Sequence, residues 1–355
     1  MPRVTLQTVA DRVGVSRMTV SNAFSRPDQL SPELRQRILA AADDLGYVGP
    51  DPTARSLARG TTGTVGIVLT ESLEVAFTDA VATSFLAAIA GELAPTGLAL
   101  TLLTSSAGSD LVPARDVAMD GALVYMCDRT SPAVDFLLRR KLPIVFVDQQ
   151  PVDGITSVNV DDRGGARAAA RHLVSLGHRR IGLVMSGVLG PVGQIDDPAV
   201  LAAVDGYPSA QRTLGWFDVL DQAGIKPIIV RTRDGEGNDV RQQARLLLDR
   251  DDRPTGVLCF SDAIALGVLQ TATELGLSVP RDLSVVGFDD SSLAGRVRPA
   301  LTTVRQDVAE KGRTAAAALT VAIGQPRSGV VGEARHVILP TELIVRDSTA
   351  PAGGT

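Results

Sequence analysis

The chain has 355 residues, 45% of them hydrophobic and 21% charged, with a formal net charge of -5 and two cysteines. That length allows two or three domains around a large buried core, and the composition excludes a disordered, collagenous or disulfide-built protein. There is no apolar leader region at the N-terminus and no run near the roughly 18–20 apolar residues of a membrane span, which points to a cytoplasmic protein without a membrane partner. Residues 1–60 hold eight arginines against six acids, whereas the remainder holds 27 basic and 34 acidic residues. A basic head on an acidic body confines any polyanionic partner to the head. Cys127 and Cys259 each lie inside an apolar run, the setting of buried reduced thiols.

In chain order, Thr5 is placed to cap a helix whose apolar residues Leu6, Val9, Ala10 and Val13 follow i, i+3, i+4, i+7 spacing, and Gly14 ends it. Ser16 caps a second short helix through Phe24, and Ser31 with Pro32 opens a third, with Leu34, Ile38, Ala41, Ala42 and Leu45 facing inward. A small residue at the closest approach (Ala10), a turn glycine (Gly14) and an apolar anchor on the second helix (Val20) have the spacing of a DNA-binding helix-turn-helix. The same pattern also occurs in small helical bundles that bind no DNA. Arg17, Met18 and Asn22 project from the start and outer face of the second helix. Arg suits guanine O6/N7, Asn suits adenine N6/N7, and Met18 can pack on a thymine methyl. Thr5, Ser16, Thr19, Ser21 and Ser25 are candidate phosphate contacts, which set register without reading sequence.

The next stretch, GYVGPDPTARSLARG (46–60), has the punctuation of a short helix: Asp51 as cap, Pro52 in the first turn, Gly60 as stop. At about two turns it is too short to persist alone in water. It is expected to order when DNA and a second copy of the chain supply contacts.

From Thr64 onward, nine apolar runs alternate with helical segments: 64–70, 98–103, 121–126, 142–148, 157–160, 180–185, 227–230, 255–260 and 283–289. Continuous apolar strands separated by helices indicate parallel sheets covered on both faces, and nine exceed one ordinary sheet. Two α/β lobes facing a cleft are expected, with a crossover near 161–165. Ligands in such folds bind beyond the carboxyl ends of the strands. There the sequence places Asp148, Ser186, Ser261, Asp262, Asp289 and Asp290, with Val160 ending the fifth run and Arg212 opening a helix after the sixth. Carboxylates, hydroxyls and one arginine suit a polyhydroxylated small molecule, with Phe77, Phe260, Phe288 or Trp216 for apolar stacking. Asp262, just before AIALGVLQ, and Asp290 are equally placed to cap helices. No Walker loop, GxSxG, HExxH or CxxC is present, and GVLGPVG (187–193) lacks the spacing of a dinucleotide loop. His172, His178 and His336 fall in helix, helix-end and strand contexts and read as structural. The acid pair Asp161/Asp162 has no nucleophile, base or metal cluster beside it, so neither catalysis, cofactor nor metal is expected.

Along nearly its whole length the chain resembles the LacI/GalR family of bacterial transcription regulators. The head reads VTLQTVADRVGVSRMTVSNAF and then LSPELRQRILAAADDLGY; the body has VDDRGGARAAARHLVSLGHRRIGLV, FSDAIALG, LSVVGFDD, LTTVRQD and LPTELIVRDST in family order. The resemblance implies an all-α helix-turn-helix domain (1–49), a hinge helix (50–60) and a two-lobed α/β domain of the type I periplasmic-binding-protein kind (61–347), with a tail at 348–355. It implies a first lobe of about 61–161 and 292–325 and a second of about 162–291 and 326–347. It also implies a homodimer on near-palindromic double-stranded DNA, controlled by a small-molecule effector, commonly a carbohydrate. By the same resemblance Arg17, Met18 and Asn22 fall on base-reading positions and Leu57, between Arg55 and Arg59, on the leucine that enters the minor groove. Asp148, Arg212, Ser261, Asp289 and Gln306 match effector-pocket positions, with Phe77, Val160 and Trp216 as further lining.

Two departures stand out. Residues 186–211 are longer than is usual in the family at this point, as for a lid or an altered pocket. The hinge entry VGPDP replaces a shorter proline–asparagine entry, so the match of Leu57 assumes one extra residue upstream. Two other functions fit a two-lobed body: a sugar-binding transport receptor, disfavoured by residues 1–60 and the lack of a leader, and a sugar-processing enzyme, which lacks its chemistry.

Overall fold

The computed structural model describes residues 4–69, 73–104, 112–126, 131–187, 191–197, 207–233, 237–324 and 334–353. These fall into two units, Met1–Gly63 and Thr64–Thr355.

In the head, helix α1 (Leu6–Val13) starts where Thr5 Oγ1 accepts from Thr8 N while Thr8 Oγ1 accepts from Thr5 N, a reciprocal cap. It stops at Gly14, whose φ of 76° suits a residue without Cβ. Ser16 Oγ accepts from Thr19 N at 3.0 Å to open α2 (Arg17–Ser25), and Ser31 Oγ accepts from Leu34 N at 3.2 Å to open α3 (Pro32–Asp44). Val9, Ala10, Val20, Ala23, Ile38 and Ala42 form their common core. Helix α4 (Pro52–Arg59) is capped by Asp51 Oδ1, which accepts from Thr53 N and Ala54 N at 2.9 and 3.3 Å, and ends at Gly60 with φ 69°. The caps stand where the sequence puts them.

The body contains two sheets. The first holds β1 (Thr64–Leu69), β2 (Ala99–Thr104), β3 (Gly121–Tyr125), β4 (Ile144–Val147), β5 (Thr156–Val160) and β12 (His336–Leu339) in the order β12-β5-β4-β3-β1-β2, all parallel. The second holds β6 (Ile181–Ser186), β7 (Gly193–Ile195), β8 (Ile228–Thr232), β9 (Gly256–Cys259), β10 (Ser284–Asp289), β11 (Thr302–Gln306) and β13 (Thr341–Ile344) in the order β13-β11-β10-β9-β6-β8-β7. Its two edge strands, β13 and β7, run antiparallel. Each sheet has a separate apolar cluster on each face, as alternate residues Leu183 and Val184, or Leu123 and Val124, point to opposite sides.

The strand runs read from sequence all appear, but the lobe boundaries need correction. Residues 302–306, expected in the first lobe, form β11 beside β10 in the second sheet, and 336–339, expected in the second lobe, form β12 beside β5 in the first. A strand joins the sheet whose edge is open to it, and chain order alone does not name that edge. The chain therefore passes between lobes three times: at Asp161, at Asp307 and at Pro340. Asp161 N donates to Leu339 O at 2.8 Å and Thr341 Oγ1 to Asp161 O at 2.9 Å, tying two of the crossings together. Part of the long 186–211 segment is sheet: β7 extends the second sheet past β8, and Arg231 Nη1 donates to Pro191 O at 3.2 Å. Residues 188–190 and 198–206 lie outside the described residues. Residues 347–352 are no loose tail. Ser348 is fully buried, donates to Val285 O and accepts from Thr302 N, while Ala352 N donates to Leu176 O.

Candidate functional site

On the head, α2 presents Arg17 and Met18 to solvent, Met18 at 70% exposure, while Val20 and Ala23 on the opposite side are buried. Asn22 is half-buried at the same outer face. The candidate phosphate hydroxyls have intramolecular roles as well: Thr5 and Ser16 cap helices, Ser16 Oγ and Thr19 Oγ1 are 2.8 Å apart, and Ser25 Oγ donates to Ser21 O. On α4, Leu57 is 86% exposed, with Arg55 and Arg59 also exposed; Arg55 Nη2 donates to Pro50 O at 3.3 Å. An apolar side chain so exposed on an eight-residue helix has no packing role within its own unit.

In the body, the carboxyl ends of the strands converge on a buried polar chain that runs from one lobe to the other. Asp148, immediately after β4, accepts from Lys311 Nζ at 2.5 Å. Lys311 Nζ also donates to Gln306 Oε1 at 3.0 Å, and Gln306 Nε2 donates to Asp289 Oδ1 at 2.7 Å. Asp289 Oδ1 lies 3.5 Å from Arg212 Nη1, and Arg212 Nε donates to Asp162 Oδ1 at 2.8 Å. The guanidinium is flanked by the rings of Phe288 and Phe260, 3.6 and 4.5 Å from their centroids, and the ammonium by Tyr125 and Phe85 at 5.8 and 6.0 Å. Lys311 reaches this point because its helix, Val308–Gly324, lies against the helix Ala80–Leu93. A Cβ at Gly312 would sit 2.9 Å from Phe85 O. Gln149 and Asn159 pair through their backbone and side-chain groups and hold the ends of β4 and β5 around Asp148.

Asp148 directly follows β4 and Asp289 ends β10, one in each lobe, and both have positive φ, 53° and 109°. Strain of this kind at strand ends is typical of ligand sites. Asp148 Oδ1 and Asp162 Oδ2 are buried and accept no hydrogen bond among the described residues. Burial raises Asp289 to about 8, against the pull of Arg212, and raises Asp162 to about 6, again opposed by Arg212. Burial favours the protonated form of Asp289, and each cation has a carboxylate partner of its own, Asp148 for Lys311 and Asp162 for Arg212.

Of the expected pocket residues, Asp148, Arg212, Asp289 and Gln306 therefore come together, and Val160 is buried at the end of β5, just before the first crossing. Arg212 lies inside the helix Tyr207–Leu220 rather than opening it. Ser261, not Asp262, caps the helix Asp262–Glu274, accepting from Ile264 N at 3.2 Å. Asp262 is buried beneath it and accepts from Thr303 Oγ1 and Ser291 N. Asp290 caps no helix; Arg305 and Arg346 hold it in ion pairs. Trp216, expected to stack on a ligand, is 1% exposed and packs in a second-lobe core with Ala166, Leu220 and Phe288. Phe77 is 64% exposed on the helix Leu73–Thr78. The sequence reading missed Lys311 and Asp162. A lysine in VAEKGR reads as a solvated helix face, and Asp162 as half of an acidic pair; only the fold buries both. Cys259 is a buried thiol, its pKa raised by burial, while Cys127 lies outside the described residues.

Comparison with known proteins bears on both units. The family model for bacterial regulatory proteins of the lacI family matches residues 5–49, and that for a periplasmic binding protein-like domain matches 155–349. An HTH-type transcriptional regulator of Mycolicibacterium smegmatis is 37% identical over 329 residues, covering 88% of this chain and 89% of that protein. Among solved structures, the lac repressor dimer bound to operator and an anti-inducer superposes with a TM-score of 0.76 at 26% identity, covering 98% of this chain and 99% of that one. A complex of the transcriptional regulator CelR with cellobiose gives 0.68 at 27% identity, covering 98% and 100%.

Proposed function

Since the chain belongs to the LacI family of bacterial regulatory proteins and is a transcriptional regulator with that family's helix-turn-helix domain, we propose that it works as a homodimeric repressor on near-palindromic double-stranded DNA. A small uncharged carbohydrate, bound between the lobes of the body, sets its operator affinity. In this reading Arg17, Met18 and Asn22 of α2 read base edges, Thr5, Ser16, Thr19, Ser21 and Ser25 contact phosphates, and α4 lays Leu57 into the minor groove with Arg55 and Arg59 on its walls. The protein acts at the nucleoid in the cytoplasm, as a regulator and not a catalyst. No helix among the described residues is long and apolar enough to cross a membrane.

The observation that carries the effector reading is the interlobe chain from Asp148 through Lys311, Gln306 and Asp289 to Arg212 and Asp162. Its two unpartnered carboxylate oxygens call for donors, its charges balance, and its aromatic rings offer apolar faces, which together suit hydroxyls on a neutral ring. Ser261 stands at the cleft end of β9 and offers one hydroxyl more. The lac repressor complex holds an anti-inducer and the CelR complex cellobiose. A ligand bridging the lobes favours one interlobe angle. Four residues, Gly60 to Gly63, separate α4 from β1, so a change in the body reaches the hinge directly along the chain. Couplings of about 1–3 kcal/mol, roughly 5- to 150-fold in operator affinity, are what such linkage gives.

Two measurements test this. Selection from random duplexes at physiological salt should return a two-fold-symmetric site; equal binding to selected and random DNA would sink the repressor. A thermal-shift screen of neutral sugars, with each hit titrated against the selected operator, should show a ligand that changes DNA affinity. Hits that stabilise the protein without that change would refute the switch, and turnover of a bound sugar would favour an enzyme.

A further inference from the structure

The head carries a polar pair that none of the assignments above uses. Asn22 Nδ2 donates to Oε1 of Gln29 at 3.1 Å. Gln29 ends the 3-10 turn Pro27–Gln29 that follows α2, and its side chain is exposed. The turn itself is held from several sides. Pro27 fixes its first φ, Gln29 N donates to Arg26 O at 3.1 Å, and Leu30 N donates to Pro27 O at 3.3 Å. Leu30 packs on the head core, and Arg35 Nε of α3 donates to Ala23 O of α2 at 3.3 Å, fixing the two helices around the turn. The fold therefore sets the distance between the backbones that carry the two amides.

We propose that Gln29 is a positioning residue for base recognition: its side-chain carbonyl holds the Asn22 amide in one orientation and so gives the protein an adenine preference at one position of each operator half-site. This rests on the reading of Asn22 as a base contact. A free primary amide carries two N–H donors and one carbonyl acceptor, and it can turn either edge toward a base. It can then serve the two acceptors of guanine or the amino group of cytosine as well as adenine. Once one N–H is committed to Gln29, a single N–H and the carbonyl remain. That pair complements adenine N7 and its N6 amino group. With the Gln29 carbonyl where it stands, turning Asn22 over would set two carbonyl oxygens against each other across the same gap.

The test is selection of duplexes by the full-length protein and three variants, Asn22→Ala, Gln29→Met and Gln29→Glu, with binding to random duplex and thermal midpoint as controls for folding. The wild type should select adenine at one half-site position. Asn22→Ala should relax that position alone, and Gln29→Met, which keeps the length of the side chain but has no acceptor, should reduce discrimination there by about tenfold. Positions read by Arg17 should not change. Gln29→Glu keeps an obligate acceptor, so it should retain the adenine preference while its added charge weakens binding to every duplex. Relaxation in Asn22→Ala without relaxation in Gln29→Met overturns the role of Gln29 and leaves the base contact standing. No effect of Asn22→Ala overturns both. A guanine preference in the wild type, lost in Gln29→Met, would mean that the pair is used in reverse and overturns the adenine assignment.

Discussion

At the residue scale, the carboxylates and cations of the cleft have more influence than their number suggests, because nearly all are buried. An aspartate ordinarily titrates near 3.8, whereas Asp289 in the folded protein does so at about 8. Between about pH 7 and 8 the unfolded chain therefore holds Asp289 ionised while the folded protein keeps its proton, so stability falls as pH rises through that window. Of the other buried groups, Asp162 and Asp262 titrate at about 6 and burial lowers His172 and His178 below their ordinary 6.5, so these are past their steps there, whereas Cys259, raised by burial above its ordinary 9, begins to add to the decline only at the upper end. The melting temperature of the ligand-free protein should thus decline from pH 7 to 8.5, and Asp289→Asn should flatten the decline. An unchanged slope in that variant would reassign the titration. Lys311 gives a second measurement. Lys311→Met leaves Asp148 buried without its cation and should cost about 3–5 kcal/mol by denaturant unfolding. Lys311→Met combined with Asp148→Asn should recover much of the loss, since Asn tolerates the positive φ at 148 and carries no charge. Failure of the second change to recover stability would mean that the ion pair is not what Lys311 contributes.

At the element scale, much of the architecture is legible in the sequence because helix ends are chemical signals. Thr5, Ser16, Ser31 and Asp51 all cap the helices they precede, and Gly14 and Gly60 end two of them. Apolar strands such as GALVY and SVVGFD, buried along their whole length, are as easily read. The strands missed are short or polar: GQI in β7, TTVRQ in β11, and β12 and β13, whose residues are at most half-buried. Site residues were legible where a strand's carboxyl end announced them, as with Asp148 and Asp289, and hidden where only tertiary packing buries them, as with Lys311. Helix α4 is the element whose role DNA should reveal. Leu57→Ala removes an exposed side chain, so thermal stability should stay within about 0.5 kcal/mol, while operator bending and specific affinity fall and random-duplex binding persists. Unchanged bending, measured by energy transfer between duplex ends, would return α4 to the status of a spacer.

At the scale of the whole molecule, the C-terminal residues and the crossings decide how the body holds together. Ser348→Ala strips the buried Thr302 N–H of its acceptor and should cost about 1–3 kcal/mol, although it lies far along the chain from the second-lobe strands it joins. Stability within error of wild type would show that another group takes over that donor. The three crossings have a consequence for biosynthesis. Among the described residues the outer edge of β5 is covered by β12, which leaves the ribosome about 176 residues after Val160 ends β5. At about 5–20 residues per second, a nascent first lobe waits roughly ten to thirty seconds after β5 emerges with one flank of its sheet unpaired. Translation speed and chaperone supply during that interval, more than the stability of the finished protein, should govern how much of it reaches the folded state.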